Sequence, residues 1–166
     1  MPGLTVKVIL QDIKKLETEA LIVGFHEDVR PLKGLAGELD WLLCGALSNL
    51  IIKNKMRGNL GDVALLTSRG KVPAPKIFLV GLGPREEFSP SSLRAAVKTA
   101  VSSALGAGVK NAALELFQTP ELSTDAGLPA VQQGISAGAG TGQIDIALLA
   151  ADAAAYETIS KLMSHS

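Results

Sequence analysis

The chain opens on an alternating, β-branched run, Leu4 to Leu10 (LTVKVIL), followed by the short continuous apolar run Ala20 to Phe25 (ALIVGF). Alternation sets one face of a strand in a core and the other toward solvent, whereas an unbroken apolar run is buried on both faces. The first run therefore predicts a half-buried strand and the second a central one. Between them the polar segment QDIKKLETE carries Ile13 and Leu16 as anchors for a short helical turn. Leu35, Leu39, Leu42, Leu43, Ala46, Leu47, Leu50 and Ile51 then recur at the spacing of one helical face, which predicts a single long amphipathic helix. The glycines and asparagines of KNKMRGNLG break that period, and Asp62 to Thr67 and Lys76 to Val80 read as strands around the turn Ser68 to Pro75, naturally paired as a hairpin.

Beyond Gly81-Leu82-Gly83-Pro84, Ser89 offers an N-cap and Pro90 a proline at the first helical position. Leu93, Ala96, Val97, Ala100, Val101, Ala104 and Leu105 make a second amphipathic helix ending near Gly106 and Gly108. Asn111 to Phe117 predicts a strand, Asp125 to about Ala137 a helix with Pro129 tolerated only in its first turn, and Gln143 to Ala150 another strand. A last helix runs from an Asp152 cap to about Met163. The patch Ser136 to Gly142 (SAGAGTG) reads as a flexible connection, since no lysine-serine or lysine-threonine pair follows it to make a phosphate loop. Strands alternating with helices predict the α/β class: a three-layer α/β/α sandwich around a mixed, largely parallel sheet.

Composition narrows the function. One domain is expected from 166 residues, and 47% hydrophobic residues with a mean hydropathy of +0.29 promise a well-filled core. Only 4% are aromatic, which leaves few rings for stacking on bases, and a net charge of zero gives no general attraction to nucleic acid. Locally, Lys53, Lys55, Arg57, Arg69, Lys71 and Lys76 face Asp62 alone, a pattern read as a solvated hairpin edge. No secretory leader pattern and no apolar run of membrane-spanning length is present, and the lone Cys44 excludes an internal disulfide; together these point to the cytoplasm. Cys44, among Trp41, Leu42, Leu43 and Leu47, is expected to be a buried, inert thiol.

No catalytic or metal-ligating constellation emerges. A two-metal hydrolase needs carboxylates converging on one cleft, but Asp12, Glu17, Glu19, Glu27, Asp28, Glu38, Asp40, Glu86 and Glu87 are scattered, and His26 and His165 form no ligand pair. No Gly-x-Ser-x-Gly elbow places a serine beside His26. Gly81-Leu82-Gly83 lacks the third glycine of a dinucleotide fingerprint and reads as a tight strand-to-loop exit.

The ordered segments EALIVGF, LAGELDWLL, GNLGDVALLT, KIFLVGLGPREEFSPSSLRAAV and LPAVQQGI resemble the N-terminal domain of leucyl aminopeptidases over nearly the whole chain. The resemblance implies a macro-domain-like fold. It also implies a single non-catalytic domain over residues 1–166, because in that family two metal ions and peptide hydrolysis belong to a separate C-terminal domain that nothing here matches. The expected role is then assembly, substrate gating or regulation, without a cofactor or metal, with a second copy or a protein as partner. Some members of the family also use this domain on DNA, which the neutral charge disfavours here. Alanine-rich helix faces such as Ala95, Ala96, Ala100 and Ala104 are expected to pack on a copy or partner.

QDIKKLETEALIVGF also resembles the start of ADP-ribose-binding macro domains, with Asp12 and Ile13 as counterparts of the adenine-contacting residues. That resemblance implies, as the alternative, a nucleotide or related metabolite in a groove bounded by Asp12, Ile13, Gly24, Gly34, Gly81 and Gly83. Gly24-Phe25-His26-Glu27 replaces the asparagine-rich loop, and Leu32 to Gly37 replaces the multi-glycine phosphate loop. Glu27 and Asp28 would repel a pyrophosphate. A retained fold with a lost pocket is the expectation.

Overall fold

A computed structural model describes residues 4–117 and 124–164. Six strands form one sheet: β1 (Leu4–Ile9), β2 (Ala20–Phe25), β3 (Val63–Thr67), β4 (Lys76–Gly81), β5 (Asn111–Glu115) and β6 (Ile144–Leu149), in the spatial order β1-β6-β5-β2-β4-β3. All neighbours are parallel except the edge strand β3, which pairs antiparallel with β4, Val63 opposite Val80 through Thr67 opposite Lys76. The hairpin and the mixed, largely parallel sheet thus match expectation. The central strand β2 is buried at every position, as its unbroken apolar run requires, whereas the edge strand β1 alternates at its start.

Helices α1 (Gly34–Leu42) and α2 (Ala46–Ile52) cover one face, packing Ala36, Leu39 and Leu47 on Leu21, Val23, Ile77 and Leu79. The other face carries α3 (Pro90–Gly106), α4 (Thr124–Ala139) and α5 (Ala153–Ser164), and its core joins Leu93, Val97, Val101, Val131, Ile135 and Ile159 to Ile22, Phe78, Leu114 and Ile146. The anticipated caps are present: Ser89 Oγ accepts from Ser92 N at 3.2 Å, with Pro90 at the first helical position, and Asp152 Oδ1 accepts from Ala155 N at 2.8 Å.

Five expectations need correction. The single helix over 35–51 is two helices meeting at 105°, because Cys44 and Gly45 take positive φ (56° and 85°) and Asp40 turns its carboxylate onto the start of α2, accepting from Ser48 N at 2.9 Å and from Ser48 Oγ. The same corner leaves the Cys44 thiol exposed rather than buried. Residues 136–139 of the glycine-rich patch are helical, completing α4, and Pro129 lies inside that helix rather than in its first turn. Finally, Ala96, Ala100 and Ala104 are fully buried in the intramolecular core, so the alanine face is no free surface; of the four, Ala95 alone is exposed. The glycines of α4 explain that packing. A Cβ on Gly134 would stand 2.7 Å from the Arg94 carbonyl oxygen, and one on Gly138 would stand 2.5 Å from that of Lys98, so α3 and α4 approach backbone to backbone.

No single helix among the described residues is long and apolar enough to cross a membrane. His165, set aside as a ligand, lies outside the described residues.

Candidate functional site at the carboxyl ends of the parallel strands

In open α/β sheets, strands end on loops at the carboxyl edge, and a crevice opens where neighbouring strands send their connections in opposite directions. Here that place lies between β2, whose chain proceeds toward β3 and β4, and β5, whose chain proceeds toward β6. The β2–β5 ladder runs from Ala20 opposite Ala112 to Ile22 opposite Leu114 and stops there.

Glu115, the last residue of β5, fills the fork. Its Oε1 accepts from the Gly24 amide at 3.1 Å, replacing the strand partner that Gly24 loses, and its Oε2 accepts from the Leu35 amide at 3.1 Å in the first turn of α1. The helix needs this distant acceptor because its N-cap is Lys33, whose side chain makes no capping bond. Gly34 takes a positive φ (59°) at the entry to α1, a conformation that favours glycine, and a Cβ there would only touch Glu115 Oε2 at 3.4 Å.

One edge of Glu115 faces solvent-accessible clefts, but the carboxyl group itself is enclosed by protein. Burial pushes its pKa up to about 7, against the two backbone N–H bonds, which pull it down. Among the described residues no Lys, Arg or His ion-pairs with it.

Two cavities meet at this side chain. One, of about 550 Å³, is bounded by Leu10, Asp12, Ile13, Glu38, Leu149 and Ala155; the other, of about 190 Å³, is bounded by Gly24, His26, Val29, Lys33, Leu82 and Phe117. Gly34, Glu115 and Leu116 line both and form the partition. Asp12, Ile13 and Gly34 thus reach the larger cavity, and Gly24 and Gly34 the smaller. Gly81 and Gly83 line neither. A Cβ on Gly81 would stand 2.6 Å from the Gly58 carbonyl carbon, and Gly83 (φ 73°) donates its amide to the Gly58 oxygen at 2.9 Å, so both serve the strand exit.

Asp12 makes a local turn instead, with Oδ1 accepting from the Lys14 amide at 2.9 Å and Oδ2 pairing with Lys14 Nζ at 3.7 Å. Asp28 accepts from the Arg85 amide at 3.0 Å, tying the loop after β2 to that after β4. His26 packs edge-on against Phe88, and burial lowers its pKa; the Gly83 carbonyl and Asp28 oppose that shift, and Arg85 adds to it.

Sequence pattern alone does not single out Glu115 among the carboxylates. Its signal is an acid inside the apolar run AALELF of a predicted central strand, a position where a charge is costly unless it has a dedicated partner.

The fold is shared with macro domains. An Oceanobacillus iheyensis macrodomain superimposes with a TM-score of 0.72 at 15% identity, covering 99% of this chain and 96% of its own. A tomato leucine aminopeptidase mutant superimposes with a TM-score of 0.73 at 22% identity, covering 99% of this chain but 36% of its own. The sequence profile of the cytosol aminopeptidase family, N-terminal domain, matches residues 22–139. Probable cytosol aminopeptidases of Geobacter sulfurreducens and Xylella fastidiosa (strain 9a5c) are 33% and 31% identical over 81% and 87% of this chain, and over 27% and 26% of their own length. The chain belongs to the cytosol aminopeptidase family, matching its N-terminal domain. It spans about a quarter of the length of these two relatives.

Proposed function

We propose that this domain performs no peptide-bond chemistry of its own and acts in the cytoplasm as an assembly or regulatory domain that engages a second copy or a protein partner. The observation that carries the reading is the lack, among the described residues, of any group of three or more His, Cys, Asp or Glu side chains able to hold a metal ion. Metal-assisted hydrolysis needs such a cluster to fix the ion and activate a water. The confinement of the family match to the N-terminal domain supports the same reading. A partner surface is offered by Trp41 and Ile52, which are 84% and 77% exposed on the α1–α2 pair.

The competing reading, a nucleotide groove, draws on the shared fold; one neighbour, a Trypanosoma brucei macrodomain, was solved in complex with ADP-ribose. Against it stands Glu115, an acid placed in the fork where a pyrophosphate would need donors. The test is leucine p-nitroanilide turnover with added manganese or zinc, alongside calorimetry with ADP-ribose. Neither turnover nor saturable binding is expected. Turnover lost on mutating one of the chain's own carboxylates would overturn the first reading, and binding tighter than about 100 µM would establish the second.

A further inference from the structure

We propose that the free edge of β3 is a self-recognition surface, on which β3 of a second copy pairs antiparallel about a two-fold axis at Leu65. The two sheets then become one. The proposal rests on the assembly reading and deepens it by naming the partner and the strand it engages.

β3 ends the sheet, and among the described residues no strand pairs beyond it. The hydrogen bonds flanking its ladder with β4 set which groups face outward. Gly81 N donates to Asp62 O at 2.7 Å and Ser68 N donates to Pro75 O at 2.9 Å, one pair beyond each end of the ladder. Bonded pairs alternate along an antiparallel ladder, so Ala64 and Leu66 also bond toward β4, while Val63, Leu65 and Thr67 turn their N–H and C=O groups to the open edge. An outward-bonding residue at the centre of the strand suits a two-fold axis: Leu65 pairs with Leu65 of the second copy, and Val63 with Thr67 of the second copy. Side chains fit the same rotation. Leu65 lies opposite Phe78 and so on the α3 face, where it is exposed and would be covered by its counterpart. On the α1–α2 face the small Ala64 comes opposite the large Leu66. A cleft of about 850 Å³ beside the end of β3, lined by Ile52 and Leu66, keeps α2 from closing that edge. Charge selects the direction. Asp62 precedes the strand, Arg69 and Lys71 follow it, and among the described residues none of the three is in an ion pair. Antiparallel pairing brings the basic turn of each copy beside Asp62 of the other, whereas parallel pairing would set like charges together. The opposite edge strand, β1, carries Lys7 and no acid, and so offers no such match.

The test is sedimentation equilibrium of the full chain from micromolar to millimolar concentration, with amide hydrogen exchange at both ends of that range. The parent protein should dimerise, and the amides of Val63, Leu65 and Thr67 should be protected in the dimer and not in the monomer. Leu65→Glu, which sets two carboxylates against each other on the axis, should weaken dimerisation by about tenfold or more. Thr67→Pro removes one outward donor while leaving the ladder with β4 intact, and should weaken it too. Asp62→Lys and Arg69→Asp should each weaken it, and the double exchange should recover at least part of the loss. Circular dichroism checks that the variants fold; should one fail to, the exchange pattern of the parent protein decides alone. A dimer whose Val63, Leu65 and Thr67 amides stay unprotected overturns the proposal, as does one lost in Trp41→Ser but kept in Leu65→Glu and Thr67→Pro; both leave the assembly reading standing. A parent protein that stays monomeric throughout the range also overturns it, and leaves the assembly reading with a different protein as the partner.

Discussion

Glu115 gives stability a pH dependence opposite to that of most carboxylates. Its pKa is about 7 in the folded protein, against an ordinary value of 4.5, so between those pH values the folded state binds the proton that the unfolded state has released. Stability supported by this group is therefore present in full below about pH 4.5 and is lost as pH rises through 7, on the order of 3 kcal/mol in all. A glutamine cannot ionise. Glu115→Gln should gain stability relative to the parent protein between pH 5 and pH 8, by up to about that amount. Urea midpoints at the two pH values measure it, and an unchanged difference would show that the carboxyl is already ionised at pH 5.

At the scale of elements, α3 and α4 pose a contest between helix propensity and packing. Replacing a helical glycine with alanine gains up to about 1 kcal/mol from propensity, whereas forcing a methyl into a filled contact costs about 1–3 kcal/mol. At Gly134 the methyl would meet both the Arg94 carbonyl oxygen at 2.7 Å and Val97 Cβ at 2.8 Å, so packing prevails and Gly134→Ala should destabilise by about 1–2 kcal/mol. At Gly106, the last residue of α3, nothing lies within 4 Å and Gly106→Ala should be neutral to stabilising by a few tenths of a kcal/mol. Chemical denaturation of the two variants decides whether backbone contact holds the pair together.

Those glycines show where sequence reasoning stopped. SAGAGTG read as a linker because glycine is a poor helix former in isolation, and only the α3 backbone opposite explains why small residues are required there. The 35–51 helix was misread for a related reason: its apolar period continues across residues 43–45, but Cys44 and Gly45 with positive φ turn the chain while both halves keep their apolar faces on the sheet. The β-strands were legible because period and β-branching act locally. So were the Ser89 and Asp152 caps, whose partners lie three residues away. Glu115 was not, since both its partners come from distant segments; the acid inside an apolar strand was its one visible trace.

For the whole molecule, burial of the alanine face removes one reason to expect self-association and transfers it to another surface. Trp41 and Ile52 protrude from the α1–α2 pair, and Leu65, 52% exposed, sits on the edge strand β3 with Arg69 and Lys71 exposed in the turn beyond. Lysines beside an edge discourage indiscriminate strand pairing, whereas an exposed tryptophan and isoleucine on a helix pair suit a specific contact. Light scattering at increasing concentration should show a dimer or larger, and Trp41→Ser should shift the equilibrium toward monomer by about tenfold or more if the tryptophan is an anchor. A monomer mass into the near-millimolar range would direct attention to a different protein as the partner.

The fork at β2 and β5 also orders events during folding. β2, α1 and the β3–β4 hairpin are assembled from residues that precede α3, yet Gly24 and Leu35 find their side-chain acceptor only when β5 inserts between β2 and β6, roughly eighty to ninety residues later. Contacts of such long range form late, because the entropy of closing the intervening chain must be overcome first. The start of α1 and the end of β2 thus share an acceptor that only the second half of the chain supplies, which ties the two halves of the sheet at one side chain.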